Sequence, residues 1–401
     1  MKIVACMPPR KAYPTMKLGP GATVSETVDR YTPRLNGIVQ PPGKVHKKRL
    51  KKQALKAAGA AAAATLAGTA PLAAAALGQG LQTGFVTAYL TPAQIYSKCQ
   101  DLARRYPDLV DMVEREYKTS GYDGKNTEVQ GPASLYYMRL GPKTEDRDQK
   151  IGVFQFAAPH ARELVNPMIM LELAEQLLAN YDPNSQDPAV VANTHLLQKL
   201  DIYLAPMTNP DGANYSVYDE RMWRKTRVPT ADGEFGVDIN RNYPTGWVAG
   251  EPGAITYPGA APLSEPETRN IVGVVDDHPN IRFVCDWHSY AEEIRRPEGV
   301  SAQDLPLYEE LHGRMNAAIK SVRGRDYGQT VSEVVDGTSD DYFYQNRQLY
   351  SMLVETGRTF QPGPAEAVKV MQECVGAARE ILSYAQFHQA KVGLAKAHPS
   401  A

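Results

Sequence analysis

Two histidines and two glutamates of this sequence stand at or just after short runs of strand-forming residues. The four residues are His160, Glu163, His288 and Glu355. The runs that lead to them are residues 151–156, 282–286 and 351–354. Because the carboxyl ends of parallel strands meet at one edge of a sheet, we expect the four side chains to lie close together. Imidazole and carboxylate groups are the usual ligands of catalytic zinc, which takes three protein ligands and leaves a fourth position for water.

His160 and Glu163 are three residues apart in a predicted turn, so both can bind one ion, and His288 would complete a three-ligand set. We therefore predict one Zn²⁺ per chain. Zinc lowers the pKa of a bound water to about 7, and Glu355 is the remaining carboxylate at this edge that can accept the proton. A lone HxxE pattern is more often an ordinary surface turn, so the prediction depends on all four residues together.

Strand-like and helix-like segments alternate from residue 83 onward. A further strand-like run covers residues 201–205, and the helical segments are residues 92–106, 167–181, 189–200, 264–276, 305–322 and 364–387. Thr91 should cap the first helix, with Pro92 in its first turn. Ser264, with Glu267 three residues later, has the pattern of a capping box. The order of segments predicts a single-domain α/β fold with a mixed, largely parallel central sheet flanked by helices.

The first 82 residues differ in composition from the rest. Residues 1–46 are rich in Pro, Gly and Thr, which predicts a disordered N-terminal arm. In residues 47–82 a basic cluster precedes an Ala-rich run, the order of a secretory signal, with a flexible Ala-rich linker or a soluble helix as the alternative. We expect export to the periplasm or the cell exterior, and no stable membrane span because Ala is only weakly apolar. A globular domain would cover residues 83–390, and a flexible tail residues 391–401.

Charge and cysteine content exclude several classes of protein. The formal net charge is −1 and charged residues make up 22% of the chain, so no basic surface is available for nucleic acid phosphates. The four cysteines are scattered without a CxxC pair, so neither a cysteine zinc site nor a disulfide-rich scaffold is indicated. The pairing of Cys99, Cys285 and Cys374 stays open. We expect a monomer.

Several motifs resemble, in the same order, those of the M14 zinc metallocarboxypeptidases, the carboxypeptidase A and B type. They are residues 159–163 (PHARE), 208–212 (TNPDG) with 223–227 (WRKTR), 236–242 (GVDINRN), 257–259 (YPG) with 264–268 (SEPET), and 288–290 (HSY). Together they span most of residues 83–387. The resemblance implies a zinc carboxypeptidase-like fold, with residues 83–390 as the catalytic domain. It also implies that the substrates are peptide or protein C-termini, cut at the last peptide bond.

The resemblance implies catalytic roles for five residues. His160, Glu163 and His288 match the zinc ligands of the family. Glu355 matches the general base that takes a proton from the attacking water. Arg224 matches the arginine that polarises the scissile carbonyl and stabilises the oxyanion, a task for a fixed cation in a dry site.

Five more residues match positions that bind substrate or support the metal site. Asn240 and Arg241 match the pair that binds the terminal carboxylate, for which the planar guanidinium is suited. Arg162 and Tyr290 match positions that contact the peptide before the cut. Asp238 resembles the partner that orients a zinc-bound histidine. Taken singly, such residues are more often solvated charges, turn caps or loop surface, so the assignment depends on their occurring together.

One segment departs from the family pattern. The family has a mobile tyrosine about eight residues before a conserved aspartate, which here is Asp341, and counting back eight residues gives Glu333. The nearest tyrosine is Tyr327, which would need a loop shift to take that place. Because this tyrosine helps to bind the terminal carboxylate, we expect its loss to weaken substrate binding more than chemistry.

Asp340 stands where the family sets its side-chain preference. An aspartate at this position resembles the arrangement that accepts C-terminal Lys or Arg, and a turn or helix cap is the alternative. Residues 295–298 (RRPE) are more charged than is usual in the family, which leaves acidic substrates or a cell-wall peptide open.

Two other functions compete with the C-terminal exopeptidase. One is a murein peptide or isopeptide hydrolase of the same fold, and retention of both Asn240 and Arg241 favours an α-carboxylate substrate instead. The other is an inactive domain that binds peptide C-termini, which would have no need for the base Glu355. We therefore predict a zinc-dependent metallocarboxypeptidase, with a preference for C-terminal Lys or Arg suggested by Asp340.

Overall fold

The computed structural model of the protein describes residues 89–231, 233–331 and 335–388. The predicted arm (1–46), signal-like segment (47–82) and tail (391–401) lie outside these residues, and so do the two ends of the predicted globular domain. No helix in the described part is both long enough and apolar enough to cross a membrane.

A mixed sheet of eight strands runs through the described residues. The strands are β1 (Val110–Glu114), β2 (Tyr136–Leu140), β3 (Ile151–Ala157), β4 (Leu200–Ala205), β5 (Ile281–His288), β6 (Glu293–Arg296), β7 (Gly328–Val331) and β8 (Tyr350–Glu355). Their spatial order is β1-β2-β4-β3-β5-β8-β6-β7. The central strands β4, β3, β5 and β8 are parallel to one another, while β2 joins β4 and β6 joins β8 in antiparallel pairs. The predicted mixed, largely parallel sheet is confirmed.

The strands that the sequence predicts are the central ones. Every residue of β3, β4 and β5 is buried, because helices or loops cover both faces, and such strands have continuous apolar sequences. The four strands that were not predicted lie toward the edges. They are short and partly exposed, and β6 has the sequence EIRR, which carries no period of apolar residues.

Eight α-helices accompany the sheet in the described residues. They are α1 (Pro92–Arg105), α2 (Asn166–Ala179), α3 (Pro188–Lys199), α4 (Pro210–Tyr218), α5 (Pro266–Asp277), α6 (Leu305–Arg323), α7 (Ser339–Gln345) and α8 (Pro364–Phe387). The predicted cap of α1 is present: Gln94 N donates to Thr91 Oγ1 at 3.2 Å, and Thr91 N donates to Gln94 Oε1 at 2.9 Å. Helices α4 and α7 were not predicted, because the first contains Gly212 and the second is only seven residues long.

The capping box predicted from Ser264 and Glu267 is wrong. Helix α5 begins at Pro266 with Glu265 as its N-cap residue, and no side chain caps it. The Ser264 hydroxyl instead donates to Glu265 Oε1 at 2.8 Å and accepts a bond from Asn242 Nδ2 at 2.9 Å. Glu267 is buried, with 1% of its surface exposed. Ser264 therefore bonds within the loop that precedes the helix, and Glu267 lies in the interior and does not cap the helix.

Two apolar cores lie on opposite faces of the sheet. The larger contains Val153 and Trp287 and receives side chains from α1, α2, α3, α6 and α8. The smaller contains Phe154 and Val284 and receives side chains from α5 and α7. Neighbouring residues of one strand therefore belong to different cores, as the alternation of side chains in a strand requires. The face of the smaller core also carries Asp286, whose side chain bonds to Ser339 of α7.

The cysteines of the described residues form no disulfide. Cys99, Cys285 and Cys374 are buried free thiols. Burial raises the pKa of the Cys99 thiol to about 12, which makes it unreactive near neutral pH. The pairing that the sequence left open is thus settled for these three residues.

Candidate active site

The predicted metal ligands and the predicted base lie at one edge of the sheet. His288 and Glu355 are the last residues of β5 and β8, and they are partners in the register of these parallel strands. His160 follows the end of β3 in a turn. This turn is held by bonds from Ala161 N to Arg224 O (2.9 Å) and from Glu163 N to His160 O (3.2 Å). The sheet and one short turn are therefore enough to assemble the set.

Three of these side chains form a compact donor group. His160 Nδ1 lies 2.9 Å from Glu163 Oε1, and His288 Nδ1 lies 3.2 Å from Glu163 Oε2. The two Nδ1 atoms are 3.0 Å apart, and all three residues are buried. Donors bound to one tetrahedral zinc ion at ~2.0–2.1 Å lie roughly 3.3–3.4 Å from one another, so this group needs only a small expansion to accept the ion. Among the described residues no other set of His, Cys, Asp and Glu side chains is arranged in this way.

Each histidine has a carboxylate on its outer nitrogen. His160 Nε2 lies 3.1 Å from Asp238 Oδ1, and His288 Nε2 lies 2.9 Å from Asp286 Oδ2. These contacts place the ring proton on Nε2, by inference from the hydrogen-bond network, and direct both Nδ1 lone pairs inward. With both ring protons on Nε2, two lone pairs and a carboxylate face one another at this separation, an arrangement that a shared cation stabilises. The residues present therefore fit a zinc ion.

Asp286 was not predicted as part of the site, although the sequence contains a signal for it. Asp286 stands two residues before His288 on the same strand, so both side chains emerge on the same face. Its Oδ2 also accepts a bond from Ser339 Oγ at 2.7 Å, while Oδ1 has no hydrogen-bond partner among the described residues. The period of two along β5 would have identified it.

Asp238 connects three parts of the site. Its Oδ2 accepts bonds from Arg224 Nε (3.0 Å) and Nη2 (2.8 Å). Its Oδ1 faces His160 and accepts a bond from the backbone N of Asn240 at 3.0 Å. Burial alone would raise the pKa of Asp238, but Arg224 and His160 hold it well below its ordinary value. The ionised carboxylate fixes the plane of the Arg224 guanidinium, whose Nη1 makes no hydrogen bond to a described residue.

No described residue donates a hydrogen bond to Glu355, whereas Glu163, Asp238 and Asp286 each accept at least one. Burial raises the pKa of Glu355, and the neighbouring His288 opposes this only in part. A carboxylate with a raised pKa and free oxygens holds a proton more readily than an ordinary glutamate, which is the property of a general base that works near neutral pH.

Asn240 and Arg241 lie together on a short 3₁₀ turn, Ile239–Arg241. Asn240 Oδ1 accepts a bond from Ser339 N at 2.8 Å, which fixes the orientation of the amide. Arg241 Nη1 donates to Asn240 O at 2.6 Å, and its Nε lies 2.9 Å from Asp336 Oδ2. Asp336 was not predicted to be near the site, since it lies in a loop with no periodic pattern.

Arg162 and Tyr290 meet at a third residue, Phe360, which sequence reasoning missed. The Arg162 guanidinium carbon lies 3.8 Å from the centre of the Phe360 ring. The Tyr290 ring contacts the same phenylalanine edge to face, with ring centres 4.7 Å apart. Tyr290 itself is 45% exposed. These three side chains form an accessible aromatic and cationic surface beside the turn that carries His160.

Asp340 lies in the first turn of α7 and is almost completely buried, with 2% of its surface exposed. Neither carboxylate oxygen has a hydrogen-bond partner among the described residues, and no side chain caps the helix. Burial raises the pKa of Asp340, and the nearby Asp286 raises it further. A helix-capping role for Asp340 is therefore unsupported, and both oxygens of this buried carboxylate have hydrogen-bonding capacity that no described residue uses.

Tyr327 does not replace the mobile tyrosine of the family. It is 0% exposed and belongs to the larger core. Its hydroxyl accepts a bond from Gly357 N at 2.9 Å and lies 3.9 Å from Cys374 Sγ. A loop shift cannot free this ring without opening the core. Ser332, Glu333 and Val334, where the tyrosine would stand, lie outside the described residues.

Comparison with known sequences gives close agreement with one family. The sequence model for zinc carboxypeptidases matches residues 95–377. Mouse carboxypeptidase A4 is 30% identical over 281 residues, which are 67% of this chain and 62% of that protein. Rat carboxypeptidase A2 is 31% identical over 282 residues, again 67% of this chain and 62% of that protein. The matched region thus spans somewhat less than two thirds of the length of these relatives.

Solved structures show the same fold at lower identity. Bovine thrombin-activatable fibrinolysis inhibitor, solved with a tick carboxypeptidase inhibitor, has a TM-score of 0.63 and 23% identity, covering 76% of this chain and 99% of that chain. The carboxypeptidase A of Helicoverpa armigera has a TM-score of 0.60 and 23% identity, covering 78% of this chain and 79% of that chain. Since the family match covers well over half of the sequence, the chain belongs to the zinc carboxypeptidase family.

Proposed function

We propose that the protein is a zinc-dependent metallocarboxypeptidase that removes the last residue of a peptide or protein by hydrolysing its C-terminal peptide bond. The observation that carries the proposal is the convergence of the buried donors His160, Glu163 and His288 with Glu355 at the adjoining strand end. A protein that only binds C-termini gains nothing from an unpartnered, half-buried glutamate at that position, since a carboxylate withdrawn from water lowers stability without making a contact.

One zinc ion would be held by Nδ1 of His160, Nδ1 of His288 and the carboxylate of Glu163. When bound, zinc supplies a Lewis acid and a water molecule whose pKa is about 7. Asp238 and Asp286 keep both imidazoles in the tautomer and the orientation that the ion requires.

Glu355 would accept the proton of the attacking water and pass it to the amine that leaves. Its free oxygens and raised pKa support both halves of this transfer, because a glutamate that must also donate a proton works best when its pKa approaches the working pH. Strand pairing fixes its distance from His288.

Arg224 would donate from Nη1 to the carbonyl oxygen that becomes negatively charged when water attacks. Asp238 binds the other two guanidinium nitrogens, so the cation is already oriented and does not have to reorganise during the reaction. Only 14% of the Arg224 side chain is exposed, and in such a site a charge interaction is screened less than in water.

Substrate recognition would use two groups of residues. Asn240 and Arg241 would bind the terminal α-carboxylate, and Asp340 would bind the end of a C-terminal Lys or Arg side chain. Arg162, Tyr290 and Phe360 would contact the peptide before the cut. The unpartnered, buried carboxylate of Asp340 supports the basic preference, because a substrate cation would satisfy both of its oxygens.

Hydrolysis of a peptide library that varies only in the last residue tests the proposal. We expect release of single C-terminal amino acids, loss of activity with a zinc chelator, and recovery on addition of zinc. Cleavage at internal or isopeptide bonds alone would instead support the murein or isopeptide hydrolase. Binding of C-terminal peptides without any turnover, at full zinc content, would support the inactive binding domain.

Export and a monomeric state are further proposals. Export depends on the composition of residues 47–82, and cell fractionation tests it. Sedimentation of the purified protein tests the monomer.

A further inference from the structure

Asp336 lies against Arg241, the residue proposed to bind the terminal carboxylate of the substrate. Asp336 Oδ2 is 2.9 Å from Arg241 Nε. The backbone around this aspartate is fixed, because Gly337 N donates to Thr245 O at 2.9 Å and Tyr243 N donates to Gly337 O at 3.1 Å. The packing of residues 335–337 against the segment that follows Arg241 therefore determines the contact between Asp336 and Arg241.

Gly337 shows how close this packing is. Its φ is +84°, and a Cβ at this position would lie 2.3 Å from the carbonyl oxygen of Arg241. Any larger residue would push the two segments apart. The glycine thus keeps the neighbouring Asp336 within reach of the arginine.

Two of the five N–H groups of the Arg241 guanidinium are already engaged, and one of them lies on the edge that a second carboxylate would use. Nε faces Asp336, and Nη1 donates to Asn240 O. No other described residue pairs with Nη2. A carboxylate binds arginine best through two nitrogens of one edge, and the edge formed by Nε and Nη2 is shared with Asp336. A carboxylate on the other edge would still stand close to a second negative charge.

We propose that Asp336 is an internal competitor for the terminal carboxylate, which must move aside or share Arg241 when substrate binds. Asp336 thereby raises the KM for substrates with a free α-carboxylate and reduces the discrimination against C-terminal α-amides, whose NH₂ group can donate to it. This inference rests on the proposed function of Arg241. It makes Asp336 a specificity residue of the carboxylate subsite.

The exposure of the pair fits this role. The side chains of Arg241 and Asp336 are 25% and 37% exposed, so a ligand reaches the guanidinium and the aspartate has solvent into which it can turn. An ion pair with this exposure is weak, because water screens both partners. A substrate carboxylate can therefore replace Asp336 at a moderate cost that appears in KM.

The test compares N-benzoylglycyl-L-arginine with its α-amide as substrates of the full-length zinc enzyme. For Asp336→Asn we expect the KM of the free acid to fall about three- to fivefold with kcat unchanged, and the KM of the amide to stay the same or rise. Asp336→Glu should retain the wild-type KM. Asp326→Asn, at an exposed ion pair with Lys320, is the matched control and should change neither constant.

A second comparison uses an Arg241→Ala background, in which Asp336→Asn should have no effect on the KM of the acid. An unchanged or higher KM of the free acid in Asp336→Asn, with its melting temperature preserved, would overturn the inference while the proposed function stands. If no variant hydrolyses either compound, calorimetric titration with N-benzoylglycyl-L-arginine separates the two ideas. If Asp336→Asn binds this compound more tightly than wild type does, and only when Arg241 is present, the competition between Asp336 and the carboxylate is supported although the proposed hydrolysis is not.

Discussion

His288 and Glu355 are register partners at the last positions of two parallel, adjacent strands. The distance between a predicted zinc ligand and the predicted base is therefore set by the spacing of two strands and not by a loop. Strand spacing in a sheet varies little, so it is a dependable way to hold two catalytic groups. Both residues lie at the carboxyl edge of the sheet, where ligands bind in open α/β proteins.

Glu355→Gln tests the base directly. The amide has nearly the same shape but accepts no proton at neutral pH, so we expect kcat to fall by about 10²- to 10⁴-fold with zinc content unchanged. Steady-state kinetics and metal analysis of the purified variant measure both. Glu128→Gln is a control, because Glu128 is exposed on a distant 3₁₀ turn. Retention of wild-type kcat in Glu355→Gln would rule out its role as base.

Asp286→Asn should weaken zinc binding by roughly tenfold to a hundredfold. The asparagine no longer offers a charged acceptor to His288 Nε2, so the imidazole becomes a poorer ligand and loses its fixed orientation. Competition with a chromogenic chelator measures the affinity. Asp277→Asn serves as the control, because the Asp277 side chain is 56% exposed on α5. Equal zinc affinity in Asp286→Asn and wild type would mean that Asp286 does not support the ligand.

Asp340→Ala tests the side-chain preference. If Asp340 binds the cation of the substrate, the ratio of kcat/KM for C-terminal Arg over C-terminal Phe should fall by about ten- to a hundredfold. A pair of hippuryl dipeptides measures it. Comparable turnover of both substrates, unaffected by the substitution, would remove the basis for a Lys or Arg preference.

Arg295 provides a second test of the same preference. It acts electrostatically on Asp340 and lowers the pKa of that carboxyl, against the larger effect of burial. A second cation near the pocket should repel a basic substrate, so Arg295→Leu should increase the Arg-to-Phe ratio in the wild-type background. In an Asp340→Ala background the increase should be larger still, because Glu293 is then the remaining carboxylate that offsets Arg295.

Asp211 makes the stability of the fold depend on pH. Burial raises its pKa to about 6 from 3.8, and Oδ1 has no hydrogen-bond partner among the described residues. The folded state holds the proton of Asp211 more tightly than the unfolded chain does. The contribution of this proton to the free energy of unfolding is therefore fully present below about pH 4 and is lost as the pH rises through 6. At pH 7 the unmatched charge costs about 3 kcal/mol in free energy of unfolding.

The comparison of wild type with Asp211→Asn isolates this contribution. The amide can still accept the bond from Gly121 N, which Asp211 Oδ2 accepts at 2.7 Å. We expect the variant to gain stability relative to wild type between pH 4 and pH 7 in urea unfolding. The exposed Asp326→Asn should show no such trend. The same difference between wild type and Asp211→Asn at both pH values would contradict the prediction.

The sequence identifies the central sheet because buried parallel strands have continuous apolar runs, and because helical segments alternate with these runs along the chain. It does not identify β6, because this strand ends in Arg295 and Arg296 and has no alternation of apolar and polar residues. The set His160, Glu163, His288 and Glu355 follows from the strand ends, since a parallel sheet brings those ends together whatever the loops do.

Residues that depend on loop packing could not be found in this way. Asp336 and Phe360 reach the site through turns whose course depends on contacts between distant segments, and neither lies in a periodic pattern. Tyr327 is the tyrosine nearest in sequence to the expected position, but proximity along the chain carries no information on its ring, which belongs to the larger core. Asp286 could have been found in part. The sequence predicts that it lies on β5, but it places His288 beyond the end of that strand, so it does not show that the two side chains emerge on the same face.

The three contacts of Asp238 mean that the separate tasks of the site are not energetically independent. One anion orients His160, holds Arg224 and binds the backbone of Asn240. Substitutions at His160 and Arg224, whose side chains bind this carboxylate, should therefore be strongly non-additive, since the first disturbs the shared carboxylate and the second finds it already displaced. The two binding sites should also be linked. Bound zinc should change the affinity for the substrate carboxylate by the same factor by which bound carboxylate changes the affinity for zinc.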